Sequence, residues 1–337
     1  MNIILYITLL TYWFTITSCE ILSTVAIVSG ISSGLGAFYY NYMHCRYNEC
    51  CNDEYVYFNF QKLQKLMQNK LYGQHIAYKT IINALNGYFN QQDQGKALTF
   101  SFHGPPGTGK NYVAKFIAEA LYKKGLESRY FHFFNGRTDF PLKHEVEKYK
   151  LQLQIAIKRA LQDCPQSLFV FDEIDKMPEG ILNALVPFLD YNTWSTKGST
   201  NKAIFIFLSN TGSRQIVQRL LTLWENGVSR DDTKLQDFES LISIGAFNEK
   251  GGFHLSDTIE TSVIDHYIPF LPLEEEHVKN CAKQAFLKRK INPTSELIEE
   301  ALSHMTFDPP PHNLYSKSGC KRIEQKVATI VYSRNTK

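Results

Sequence analysis

The chain has 337 residues, 44% of them hydrophobic and 20% charged, with a net charge of +3. That length supports about two domains, each with a core of its own, and the composition excludes a disordered segment. There is no basic run and no acidic tail, so no electrostatic feature points to a nucleic-acid partner.

The first 45 residues carry one formally charged side chain, Glu20. Ile3 to Phe14 form a short apolar core, and Thr17 and Cys19 supply small residues for cleavage, which predicts a signal peptide over residues 1–19. Residues 20–45 read as a hydrophobic membrane-associating segment. Its stretch Ile21 to Tyr40 is long enough to span a bilayer, while Gly30, Gly34, Gly36 and several serines also suit a segment lying in one leaflet. If Cys19 leaves with the leader, Cys45, Cys50, Cys51, Cys164, Cys281 and Cys320 remain. An even number behind a secretory leader suits disulfides, with Cys45, Cys164, Cys281 and Cys320 as candidates and the pairing of the first four cysteines open. The alternative is a zinc site from His44, Cys45, Cys50 and Cys51, whose spacing matches no common zinc motif.

Residues 46–70 form a cysteine-containing linker and helix, and residues 54–95 as a whole read as helices interrupted at Gly73-Gln74. Leu98, Phe100 and Phe102 then alternate as a strand. Gly104 to Gly109 make a loop, and Val113, Phe116, Ile117, Ala120 and Leu121 mark one face of a helix. Apolar runs recur at 130–134, 168–171, 203–208 and 263–268, separated by helical stretches at 145–161 and 181–189. Alternation of this kind predicts an α/β domain over 71–271, a parallel sheet with helices on both faces. From Pro272 onward the strand signals stop, and helical patterns at 274–290, 294–304 and 318–332 predict a small helical lid over 272–337.

Gly104, Pro105, Pro106, Gly107, Thr108, Gly109, Lys110 and Asn111 match the P-loop pattern at every position but the last, where Ser or Thr is usual. In such a loop backbone N–H groups turn onto phosphates, the helix N-terminus adds partial positive charge, and Lys110 reaches the β and γ phosphates. Asn111 must offer magnesium an amide oxygen or leave the place to water. The strand Leu168 to Phe171 delivers Asp172 and Glu173 to its C-terminal edge, where open α/β sheets bind ligands. Asp172 is expected to hold magnesium through water, and Glu173 to orient and polarise the attacking water. Ala203 to Ser209 repeats the device with Asn210 at its end, beside the expected γ phosphate. Gly319-Cys320-Lys321 is expected to open the last lid helix, letting Lys321 bend over the nucleotide. A bridge from Cys281 to Cys320 would then set a redox-sensitive bond beside that lysine.

These residues resemble a torsin. The resemblance rests on Gly104 to Asn111 with its terminal Asn, Phe171 to Met177, Pro187 to Asp190, Phe205 to Asn210, Pro269 to Leu273 and Gly319 to Lys321. Tyr72 to His75 and the spacing of Cys45, Cys50 and Cys51 add to it, and it covers about Leu71 to Tyr332. It implies an AAA+ fold of the Clp branch, ATP and Mg2+ as ligands, and Lys110, Glu173, Asn210 and Lys321 in the roles above. It also implies residence in the lumen of the endoplasmic reticulum and nuclear envelope, contact with the membrane surface through residues 21–40, and assembly into homo- or hetero-oligomers. Torsins lack a working arginine finger and take one from the luminal domain of a membrane-bound activator of the lamina-associated polypeptide kind. Arg214, Arg219 and Arg230 are the candidates for an internal finger, and Phe140-Pro141 is the nearest match to a substrate-gripping aromatic loop.

Overall fold

A computed structural model describes residues 45, 47–91, 95–190 and 202–334. The predicted leader, and the membrane-associating segment apart from Cys45, lie outside the described residues. The chain divides into two units, Met1–Cys50 and Cys51–Lys337. In the first, Cys45 is bridged to Cys50. In the second, Cys51 is bridged to Cys164 and Cys281 to Cys320. Cys50 and Cys51 therefore join the four candidates as disulfide partners, and the zinc alternative fails because all three of its thiols are oxidised. Among the described residues no His, Cys, Asp and Glu cluster could hold a metal, and no helix is long and apolar enough to cross a membrane.

The second unit opens with helix α1 (Phe60–Lys70), started by Asn59, whose side chain accepts the Lys62 N–H at 2.9 Å. Helix α2 (His75–Asn90) follows after a break at Gly73, which takes a φ of +66°. Five parallel strands then build one sheet: β1 (Leu98–His103), β2 (Phe131–Asn135), β3 (Leu168–Asp172), β4 (Ile204–Ser209) and β5 (His266–Pro269). They lie in the order β2-β3-β4-β1-β5. Between them run α3 (Lys110–Leu121), α4 (Val146–Asp163), α5 (Val186–Leu189), α6 (Ser213–Glu225), α7 (Glu239–Asn248) and α8 (Asp257–Glu260).

The two-residue period of the strands divides the core. Leu168, Val170, Ile204, Ile206 and Leu208 pack with Phe100, Phe102 and the apolar faces of α1, α2 and α3. Phe169, Phe171, Phe205 and Phe207 pack on the other face with Tyr149, Leu153 and Ile157 of α4. Helices thus cover both faces, as the sequence predicts for buried parallel strands. Burying one such Phe contributes about 1.5–3 kcal/mol, so the stacked Phe169–Phe205 and Phe171–Phe207 pairs on neighbouring strands are a substantial part of this core.

The C-terminal part has its own core, in which Val278, Ala282 and Phe286 of α9 (Glu275–Lys288) meet Ile298 and Leu302 of α10 (Ser295–Ser303) and Val327 and Ile330 of α11 (Ile323–Arg334). Three expectations need correction here. Strand pairing does not stop at Pro272, because Phe307–Asp308 (β6) and Tyr315–Ser316 (β7) form an antiparallel pair too short to show alternation in sequence. The last helix starts at Ile323, so Lys321 lies in the turn before it and does not open it. The stretch Ile181 to Leu189 is a 3-10 turn (Ile181–Leu185) followed by one short helix.

Candidate functional site

Strands β1, β3 and β4 end side by side, which brings three loops to one edge of the sheet. The loop after β1 is the Gly-rich stretch. Gly107 and Gly109 adopt φ of +76° and +109°, a region costly for other residues. A Cβ on Gly109 would fall 2.7 Å from Leu71 Cδ1, and a Cβ on Gly107 would collide with the Ser318 carbonyl. Glycine is therefore required twice, for conformation and for close approach.

Lys110 opens α3 and is almost wholly buried. Its Nζ donates to the carbonyls of Gly104 at 2.5 Å and Pro105 at 3.0 Å, and to Asn210 Oδ1 at 3.1 Å. Burial lowers its pKa to about 7, against the pull of Asp175 and Asp172, with Lys321 lowering it further. An ammonium so placed is stabilised by any anion that reaches it. Behind it His103 is held neutral, burial pushing its pKa to about 4, between Ser101 Oγ at 2.6 Å and the Thr211 carbonyl at 3.1 Å.

Asp172 and Glu173 stand at the end of β3. Asn111 Nδ2 donates to Asp172 Oδ2 at 2.7 Å, and Asp172 Oδ1 accepts the Glu173 N–H at 2.8 Å. The two side chains expected to serve magnesium are thus neighbours, and the donor set of one carboxylate and one amide oxygen suits a hard cation that keeps several waters. Glu173 has a φ of +53°, strained for a residue with a Cβ. Its Oε2 is paired with Arg137 Nε at 2.7 Å.

Asn210, at the end of β4, bridges Lys110 to Asp175: its backbone N–H and its Nδ2 both lie 3.3 Å from Asp175 Oδ1. Asp175 and Arg137 had no role in the sequence reading. Asp175 sits two residues after Glu173 in the same motif, a visible signal; Arg137 sits after the most irregular of the apolar runs, with no pattern to mark it. The turn carrying Lys321 reaches the Gly-rich loop from the C-terminal part. The Cys320 N–H donates to the Gly107 carbonyl at 3.0 Å, and Gly319, at φ +52°, has no room for a Cβ against Gly107. The Cys281–Cys320 bridge is therefore one hydrogen bond from the Gly-rich loop.

The arginine candidates separate. Arg230 is nearly buried and committed to Gly73, Pro272 and Glu274, Arg219 lies 3.5 Å from Asp237, and Arg214 is exposed. Arg214 and Arg219 line a cavity of about 510 Å³ with Gln215, Gln218, Thr222 and Leu241, and Lys110, Asn111, Asp172, Glu173 and Asn210 are not among its lining residues. Phe140 is buried edge-on against Tyr149, centroids 5.4 Å apart, so it is a core residue and not a presented loop aromatic.

A five-stranded parallel sheet with a glycine loop, two carboxylates and an Asn at the ends of its central strands, and a helical C-terminal part defines an AAA+ domain. Solved structures agree at the level of fold. The chain matches the S. cerevisiae Hsp104-ADP complex with a TM-score of 0.57 at 16% identity, over 82% of this chain and 48% of that one. It also matches Hsp104 with ATPγS and FITC casein at 0.56 and 16%, over 82% and 47%. The Torsin family description matches residues 45–171, and the Torsin-1A C-terminal domain matches residues 273–329. A Torsin-like protein of Drosophila melanogaster is 40% identical over 92% of both chains. One of Caenorhabditis elegans is 35% identical over 90% of this chain and 85% of its own, and Torsin-3A of Rattus norvegicus 36% over 85% and 74%. The chain belongs to the torsin family, and nucleotide binding comes with that membership.

Proposed function

We propose that this chain is an ATP-hydrolysing torsin of the lumen of the endoplasmic reticulum and nuclear envelope, which remodels protein or membrane assemblies in a chaperone-like way. The observation that carries the reading is the convergence of Lys110, Asn111, Asp172, Glu173, Asn210 and the Lys321 turn at one sheet edge. Mg–ATP, when bound, supplies the phosphoanhydride whose cleavage drives the cycle. The Gly104–Gly109 loop and the α3 N-terminus bind its phosphates, and Lys110 Nζ neutralises them at a site that already withholds water. Asp172, through water, and the Asn111 amide oxygen would hold magnesium. Glu173, once released from Arg137, orients and polarises a water through its carboxylate. Asn210, fixed by Asp175, holds Lys110 and a phosphate oxygen in register.

Among the described residues, Arg137 is paired with Glu173, and Arg230 is held by Gly73, Pro272 and Glu274. This favours an external finger, from the luminal domain of a lamina-associated-polypeptide-like activator within a homo- or hetero-oligomer. Residues 21–40 attach the chain to the membrane surface, and the three disulfides suit a luminal compartment. The Arg137–Glu173 pair favours one second reading, a nucleotide-gated scaffold with little turnover. ATP turnover with and without the activator's luminal domain, blanked by Glu173→Gln, separates the two. Activity that rises with the partner and vanishes in the blank supports the ATPase; binding with no turnover above the blank under either condition leaves the scaffold.

A further inference from the structure

The joint between the α/β part and the helical C-terminal part is the stretch Leu271 to Glu274, and one side chain grips it from both sides. Arg230 follows α6 in a 3-10 turn, with its side chain 10% exposed. Nη1 donates to the Pro272 carbonyl at 2.9 Å and to Glu274 Oε1 at 3.1 Å, and Nη2 donates to the Gly73 carbonyl at 2.6 Å. Its Nε is buried with no hydrogen-bond partner, so the fork spends its donors on these three acceptors at the cost of one. A staple whose only role was stability would gain by satisfying that atom as well.

Each acceptor leads to the nucleotide site. Gly73 precedes Gln74, whose Nε2 donates to the Thr108 carbonyl of the Gly-rich loop at 3.1 Å and to the Leu271 carbonyl at 2.8 Å, while its Oε1 accepts the Leu271 N–H at 2.8 Å. Leu71, just before, packs on Gly109. On the far side of the joint, Glu274 is the N-cap of α9, in a reciprocal capping box with His277. Helix α9 carries Cys281, bridged to Cys320, whose N–H holds the Gly107 carbonyl and whose next residue is Lys321. Arg230 thus joins the segment flanking the Gly-rich loop to Glu274, the cap of the helix that the Cys281–Cys320 bridge ties to the Lys321 turn. Every later link is a covalent bond, a helix or a hydrogen bond.

We propose that Arg230 is a positioning residue: it sets the angle of the helical C-terminal part and so places Lys321 over the phosphates. The inference rests on the nucleotide reading above. It assigns to Arg230 a role inside its own subunit, in place of a finger offered to a neighbour. A lysine cannot substitute, because one ammonium does not reach three acceptors in the plane of a fork.

The test is Mg–ATP affinity of the full chain carrying Glu173→Gln, so that binding is read without turnover, in a cycle of Arg230→Lys and Lys321→Ala. Arg230→Lys is expected to weaken binding at least tenfold with Lys321 present and less than twofold once Lys321 is Ala, because its effect passes through that lysine. Arg230→Ala is expected to behave in the same way, and Glu274→Gln, which keeps both the cap and an acceptor, to lose about threefold or less. Affinity within twofold of the parent in Arg230→Lys overturns the inference, as do losses at 230 and 321 that simply multiply. If the parent binds no Mg–ATP, the nucleotide reading falls and takes this one with it, an outcome distinct from the other two.

Discussion

Replacing Arg137 with Ala should raise basal ATP turnover by a factor bounded by the pair it breaks. Glu173 Oε2 and Arg137 Nε are 2.7 Å apart, with side chains 33% and 60% exposed. An ion pair of that exposure is worth about 0.2–1 kcal/mol, so freeing the carboxylate multiplies its available population by about 1.4- to 5-fold. Turnover without any partner should rise by that factor, measured as phosphate release above a Glu173→Gln blank. Arg137→Lys should fall between, since it keeps the charge and loses the fork. Salt at about 0.5 M should shrink the gap between wild type and Arg137→Ala, because exposed pairs are screened within a few ångströms at that strength. A fall in turnover on Arg137→Ala would show that Arg137 aims Glu173 rather than restraining it, and would refute the reasoning. A rise that salt leaves unchanged would refute it too.

Other predictions follow from the same geometry. Burial holds Lys110 at about 7 against an ordinary 10.5, and bound phosphates raise it, so nucleotide binding at pH 8 should take up about one proton per site; calorimetry in buffers of different ionisation enthalpy reads this, and uptake near zero contradicts it. Without nucleotide the unfolded chain binds more protons than the folded one between about 7 and 10.5, so the Lys110 contribution makes stability rise with pH across that window. Glu173 sits at a φ of +53°, so Glu173→Gly should be about 1 kcal/mol more stable than Glu173→Ala in denaturant melts although both are inactive; equal midpoints would remove the claim of strain. Cys51→Ser opens a loop closed by residues 113 apart and should cost about 2–5 kcal/mol, whereas Cys281→Ser should act chiefly on nucleotide affinity, through the Cys320 N–H to Gly107 bond. Equal Mg–ATP affinity in the oxidised and reduced protein would rule out that coupling.

What could be read from the sequence followed the length of the pattern that carried it. The Gly-rich loop, the Asp172-Glu173 pair and Asn210 announce themselves because each joins a strand of five or six residues, long enough for an apolar strand signal to show, to residue types with few other reasons to occur together. The β6–β7 pair has two residues on each side, below the length at which a period exists. Arg230 was visible only as an arginine. Its function lies in three acceptors at positions 73, 272 and 274, two of them backbone carbonyls that any residue would provide, so no residue pattern could point to it. Phe140 shows the opposite failure, since an aromatic beside Pro141 has the composition of a presented loop and only its packing against Tyr149 says otherwise. Chemistry placed by a strand end is therefore legible in this chain, and chemistry placed by long-range backbone contact is not. Two controls on the site belong to the second kind, since the Arg137 restraint on Glu173 and the Arg230 joint are formed by segments that meet only in the folded protein, whereas Asp175, which supports Asn210, stands in the Asp172-Glu173 motif itself.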